Sequence, residues 1–304
     1  MDFVLFFLPP TPHFLPHKYA THQGIIYDKA EYVRLAREIA SHNRLLETST
    51  PLPEDTDTPK EENRALQQRA ALGLLPGQIQ EGVYLAFSAN HLPALANRMR
   101  ELNPGGPRRV IFENLVQILS LLPGPERNPY FRRFLRSNTH IQGIPSDIAL
   151  YSSGGPSLSI KAPGDVFALI STMLEWCDPA LSFDHKAAAA PHPRQSLRSR
   201  MGELIAPENK RYLVLFSKYN QAEIRRVHKL LTECERAVGP ECFDNIREGL
   251  EKRHREDICP MPCGSEVSMQ CSKCKLVAYC GRQCQMKHWN DGHKFRCFLA
   301  HNLK

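Results

Sequence analysis

Along this chain the apolar positions recur at three and four residues far more often than at two. Between residues 28 and 47, Val33, Leu35, Ile39 and Leu45 share one stripe behind Asp28, a good N-cap, which predicts an amphipathic helix over 28–47. The stretch that follows, Thr48-Ser49-Thr50-Pro51-Leu52-Pro53-Glu54-Asp55-Thr56-Asp57-Thr58-Pro59, has no face to bury and reads as an acidic, proline-rich linker over 48–60. Helical periodicity resumes near Glu62, with breaks at Pro76-Gly77 and at Pro104-Gly105-Gly106-Pro107. Arg109–Leu122 gathers Val110, Leu115, Val116, Ile118, Leu119 and Leu122 on a wide apolar face. Asp165–Cys177 is apolar almost all round (Val166, Phe167, Leu169, Ile170, Met173, Leu174, Trp176), the pattern of a central buried helix.

The cleanest amphipath is Gln221–Val238. Ile224, Val227, Leu231, Cys234 and Val238 alternate at three and four residues, with Arg225, Arg226, Lys229 and Glu233 on the other faces. Gly239-Pro240 ends it, and Glu241–Arg255 forms a charged helix leading onward. Two heptads are too few for a coiled coil, and no period of 34–47 residues is apparent. With strand-like alternation almost absent before residue 256, the expected class is mainly α. It is an irregular helical bundle or solenoid-like helical domain followed by a small C-terminal cross-braced unit. The expected organisation is a tail at 1–20, a helical domain at 21–255 and the small unit at 256–304.

That last unit carries the chemistry. Seven of the ten cysteines lie in the final 46 residues, as the pairs Cys259/Cys263, Cys271/Cys274 and Cys280/Cys284, with Cys297 preceded at i−4 by His293. A pair two or three residues apart puts both sulfurs on one side of a tight turn, and two such turns surround Zn²⁺ tetrahedrally. Eight donors suffice for two structural zinc ions. A disulfide framework needs an exported chain and would leave one cysteine of the seven unpaired. The N-terminus argues against export: Asp2 replaces a basic start, and the apolar run Phe3–Leu8 ends at Pro9-Pro10. The expected setting is therefore intracellular, nucleus or cytoplasm, with Cys177, Cys234 and Cys242 acting as small buried apolar residues.

The run Cys271-Ser272-Lys273-Cys274 … Tyr279-Cys280-Gly281-Arg282-Gln283-Cys284-Gln285 … Trp289 … His293-Lys294-Phe295-Arg296-Cys297 resembles a MYND-type zinc finger. The resemblance covers about residues 256–300, and the helical region resembles no family we can name. It implies interleaved sites, one zinc on Cys259, Cys263, Cys280 and Cys284, the other on Cys271, Cys274, His293 and Cys297. It also implies a surface for short proline-rich peptides, with Ser272, Gln285 and Trp289 at the peptide-contacting positions. An indole suits both that task and packing of a small core. Two spacings depart from the family pattern: three residues rather than two inside Cys259-Pro-Met-Pro-Cys263, and eight rather than seven between Cys284 and His293, where Gly292 can absorb the change. Gly264 and Gly281 are expected to fill turns beside the thiolates. His288 is a candidate ligand on the pattern of the related HIT-type finger, but it lacks an i+4 partner and reads as an exposed helix histidine.

These features favour a non-enzymatic adaptor with no catalytic residues. The phosphate loop G-x-x-x-x-G-K-[ST], G-x-S-x-G, H-E-x-x-H and the zinc-deaminase signature are all absent. A SET-type lysine methyltransferase, the enzymatic alternative within the resemblance, would show an N-H-S-C-like motif and sequence on both sides of the finger. A net charge of +7, with basic residues spread over Arg247–Arg255 and Lys287–Arg296, fits solvated helix faces better than direct nucleic-acid binding. No apolar run reaches the roughly 20 residues of a membrane span. The expected partners are proteins with proline-rich segments.

Overall fold

The computed structural model describes residues 29–47, 77–102, 108–145, 147–148, 163–177, 217–234, 236, 241–255, 257–263 and 265–299. The tail, Asp28, the linker at 48–60, the periodicity near Glu62 and Gly264 lie outside these residues.

The predicted helices are present with shifted ends: those expected at Asp165–Cys177 and Gln221–Val238 begin earlier, at Pro163 and Lys218. In chain order they are α1 (Lys29–His42), α2 (Gly77–Glu101), α3 (Arg109–Leu121), α4 (Pro129–Leu135), α5 (Asn138–Ile141), α6 (Pro163–Trp176), α7 (Lys218–Lys229, prolonged by a π-turn over Leu230–Cys234) and α8 (Cys242–Arg253). Two short strands, β1 (Met269–Gln270) and β2 (Ala278–Tyr279), pair antiparallel, and α9 (Arg282–His288) and α10 (Lys294–Arg296) follow. The fold is mainly helical, and no helix among the described residues is long and apolar enough to cross a membrane.

Two helices are central. α6 is buried nearly all round, as its composition requires, and packs against α3, α7 and α8. α2 is the second: Val83, Leu85, Ala86, Phe87, Ala89, Leu92, Leu95, Ala96 and Met99 are all fully enclosed. α1 lies along it by small residues, with Ala36 and Ala40 buried, while Val33, expected in the apolar stripe, is 40% exposed. Close approach rotates the stripe, because two alanines let the helix axes come nearer than Val33 would allow. Gly82 marks the tightest point: a Cβ there would sit 2.7 Å from the Tyr32 ring. At the other end Arg98 of α2 donates to the carbonyl of Arg44 at 2.9 Å, so α1 and α2 run in the same direction. Both begin at the small C-terminal unit.

α4 was not anticipated from the apolar pattern, although Asn128-Pro129 is a legible start. The Asn128 side chain accepts from Phe131 N–H at 3.1 Å and Pro129 occupies the first turn. The same buried side chain donates to Ser88 Oγ at 2.8 Å, and Ser88 donates back to the Tyr84 carbonyl at 2.8 Å, tying α4 to α2. Cys177 is buried and forms no disulfide, in keeping with the expected small buried role. Cys242 is instead disulfide-bonded, a departure from the reduced apolar role read from its helical surroundings. Pairing depends on which cysteine the fold brings near, which spacing along a helix does not encode.

Replacing Asn128 by Ala removes a cap and leaves Ser88 without its buried donor. The expected loss is about 1–3 kcal/mol, read as a lower urea midpoint with an unchanged slope. A second outcome concerns pH. His254 lies against Trp176 with ring centroids 5.5 Å apart and the rings tilted at 46°, and burial, then the Arg132 and Arg253 charges, push its pKa down to about 4 from 6.5. Its contribution is complete above about pH 6.5 and is lost as the pH falls toward 4, since the unfolded chain binds the extra proton first. The urea midpoint of wild type should therefore fall more steeply across that window than that of His254→Gln, and parallel curves would refute this.

Candidate metal centre

Local turns present the donors in pairs. Ile258 bridges Glu266, and Cys259 N–H donates to the Ser265 carbonyl at 3.2 Å, closing a small loop around Cys259-Pro-Met-Pro-Cys263. Pro260 and Pro262 lack N–H groups, so the loop is held from its ends and by Cys263 N–H on the Met261 carbonyl at 2.7 Å. The hairpin formed by β1 and β2 carries Cys271 at its turn, where Lys275 N–H returns to the Cys271 carbonyl at 3.0 Å. Lys275 adopts φ 56°, the left-handed conformation usually left to glycine. Gly281, expected to fill such a turn, has φ 177° and is simply extended. The turn that needs a special residue follows Cys274, and Arg133 of α4 holds it by donating to the Lys275 carbonyl at 3.3 Å.

The last pair is aimed by a kink. α9 runs into a π-turn over Trp289–His293, in which Gly292 takes φ 133°, a conformation suited to glycine. This break, where the sequence reading placed the extra residue, swings His293 inward. Cys297, extended at φ −88° and ψ 96°, completes the pair.

The eight donors fall into two groups, Cys259/Cys263/Cys280/Cys284 and Cys271/Cys274/His293/Cys297, with the atoms of each within 4.8 Å of one another. This is the interleaved arrangement implied by the family resemblance. Sulfurs held tetrahedrally about 2.3 Å from zinc stand about 3.8 Å apart, and a sulfur and an imidazole nitrogen about 3.5 Å. In the first group Cys263–Cys280 is 3.6 Å, Cys280–Cys284 3.5 Å and Cys284–Cys263 3.8 Å. In the second, Cys271–Cys297 is 3.6 Å, and His293 Nε2 lies 3.5 Å from Cys271 Sγ and 3.7 Å from Cys274 Sγ. Disulfides would require about 2.05 Å. The two clusters fit two zinc ions, each with four protein donors.

Hydrogen bonding from Cys297 draws the Cys274 thiol down to about 4, while Cys297 is pushed far up by the same contact and by burial. Cys280 rises to about 12 through its contacts with Cys284 and Cys263. Four thiols so close cannot all ionise by themselves, and metal binding expels the remaining protons.

His288 is no member of either group, in keeping with its rejection as a ligand. It is nevertheless not an exposed helix histidine. Its Nδ1 lies 3.0 Å from the Tyr279 hydroxyl and its ring stacks on His293 at 5.0 Å. Burial and then His293 lower its pKa, so its neutral form is favoured. Tyr279, fully buried, also meets His293 edge-on at 6.4 Å. Together these rings orient the one imidazole ligand. Of the proposed peptide contacts, Ser272 is exposed, Gln285 half-buried and Trp289 38% exposed, its indole meeting His293 edge-on at 5.8 Å.

The sequence reading missed the groups that fasten this unit to the helices. Tyr130 of α4, fully buried, has its hydroxyl 2.6 Å from Phe298 N–H and donates toward the Phe298 and Arg296 carbonyls at 3.0 and 3.1 Å. Lys29 donates to the Cys297 carbonyl at 2.7 Å, and Arg296 pairs with Glu81 of α2 at 3.2 Å. Leu276, Tyr279 and Phe298 join the same buried apolar cluster as α2 and α6.

Comparison with known proteins agrees with this geometry: residues 259–297 match the family model described as the MYND finger. This segment is a MYND finger. It is a zinc-binding protein-interaction module. The C-terminal region also matches ubiquitin carboxyl-terminal hydrolases. Hydrolase 16 of Arabidopsis thaliana is 46% identical over 78 residues, 26% of this chain and 7% of that protein. Hydrolase 19 of the same plant is 38% identical over 56 residues, 16% of this chain and 8% of its own length. Hydrolase 15 of Oryza sativa subsp. japonica is 46% identical over 35 residues, 12% and 4% of the two lengths. The chain thus spans less than a tenth of each of these three relatives. No solved structure matches it.

Native mass spectrometry of the purified chain should show two zinc ions, and Cys274→Ser should reduce this to one. Retention of both ions by the variant would mean that the second ligand set is wrong.

Proposed function

We propose that the chain is a non-enzymatic adaptor whose MYND finger docks short proline-rich segments of partner proteins across Ser272, Gln285 and Trp289. The observation that carries this reading is the state of Trp289. The indole and the imidazole of His293 meet edge-on at 5.8 Å, so zinc bound to His293 would steady the indole, yet 38% of the residue is open to solvent. A rigid, half-exposed indole offers a flat apolar face to proline at little entropic cost. Gln285 lies one helical turn earlier on the same face, where its amide can bond an extended backbone.

The ligand shells support the non-enzymatic part. With four protein donors apiece, zinc in either cluster has no position left for water or substrate, the arrangement of structural rather than catalytic zinc. The similarity to the hydrolases lies at the finger, so it supports a shared docking module and not their activity.

Isothermal titration of the zinc-loaded chain against a panel of proline-rich peptides tests the reading. Trp289→Ala should weaken binding by roughly 30-fold or more, the usual effect of truncating a central aromatic anchor, with zinc content unchanged. Unaltered affinity in that variant, or methyl transfer from S-adenosylmethionine by the full chain, would overturn it.

A further inference from the structure

The first residue of α1 belongs to the surface of the finger. Lys29 is separated by 260 residues from Trp289, yet its Nζ lies 5.7 Å from the centroid of that indole and 5.3 Å from the Phe298 ring. It is held there by its hydrogen bond to the Cys297 carbonyl, which takes one of three ammonium protons. Among the described residues no carboxylate is paired with it. Lys273, next to Ser272 on the exposed Cys271–Cys274 turn, adds a second positive charge close enough to repel it. Two further apolar residues of the finger are exposed: Met286 (56%), one turn before Trp289, and Leu299 (48%), next after Phe298 in the chain.

A half-exposed indole with a lysine ammonium beside it fits an extended segment that offers both an anchor and a negative charge. We propose that Lys29 completes the docking face from outside the finger, and that the partner is a proline-bearing segment with an acidic side chain next to its anchor. Its proline lies on the indole, and its carboxylate pairs with the Lys29 ammonium, backed by Lys273. The inference rests on the docking reading above and adds the chemistry of the occupant.

A plainer role for Lys29 is as counter-charge. Three thiolates and one Zn²⁺ leave the neighbouring cluster with one net negative charge, which attracts the ammonium. That attraction accounts for its proximity. The hydrogen bond, however, goes to a carbonyl and not to a sulfur, and the ammonium lies over the indole.

The test uses the full, zinc-loaded chain and a fluorescein-labelled proline-rich peptide ending in Asp and Glu, beside its counterpart ending in Asn and Gln. Anisotropy titration should show the acidic peptide binding roughly tenfold tighter, an advantage that shrinks with added salt. Lys29→Met should abolish that difference, read as the ratio of the variant's own affinities for the two peptides, and Lys29→Arg should retain it. Equal binding of the two peptides to wild type overturns this inference and leaves proline-rich docking standing, whereas failure of both peptides to bind overturns the two together. Loss of zinc in Lys29→Met would make the lysine a counter-charge instead.

Discussion

Everything in the C-terminal unit is subordinate to the edge length of a tetrahedron. A donor set grips zinc only when its atoms stand about 3.5–3.8 Å apart, and the six short donor contacts here run from 3.5 to 3.8 Å. Meeting that condition twice, with donors interleaved along the chain, dictates the backbone between them. The Cys259–Cys263 loop must close without two of its N–H groups, Lys275 must enter the left-handed region, and the helix after Cys284 must kink at Gly292. A segment this short has little apolar surface of its own to bury, so metal bonds supply the order that a larger core would give.

The helical body supplies the rest. Tyr130 bonds both backbone groups of Phe298, the residue following the last ligand, and Lys29 bonds the carbonyl of that ligand. Arg133 does the same for the turn after Cys274. These contacts come from α1 and α4, remote in sequence, and they fix the ends of the second cluster rather than its donors. The consequence is mechanical. α1 and α2 both start at the finger and run away from it side by side, tied to it through Lys29 and through the Arg296–Glu81 pair. The apolar cluster that encloses α6 is continuous with Tyr279 and Leu276. The body is therefore part of the platform on which the finger is held.

His288 and Lys29 illustrate how secondary roles are assigned. Neither is a metal ligand, yet each is positioned by one. His288 stacks on His293 and meets Tyr279, restraining the imidazole that must point Nε2 at the metal. Lys29 sits beside the cluster that retains one net negative charge. Local sequence could name the ligands because ligand identity is a matter of side-chain type and spacing. It could not name their supports, because support is exerted through carbonyls and rings that any sequence possesses.

What the sequence determined by itself was therefore whatever is encoded at short range. Spacings of two to four residues announced the donors, the Gly292 break, and the helices at Arg109–Leu121, Pro163–Trp176 and Lys218–Lys229, since the periods of a turn and of a helix are local properties. The pairing of donors came from likeness to a family, and the structure agrees with it. α4 was legible in Asn128-Pro129 but passed over, because seven residues give too little periodicity to notice. Tertiary structure alone decided that Val33 faces outward while Ala36 and Ala40 touch α2, that Gly82 lies beneath Tyr32, and that Cys242 is oxidised. It alone brought Lys29 to Trp289 across the length of the chain. Such contacts depend on how closely two helices approach and which ends coincide, and that is set by the packing of the whole core.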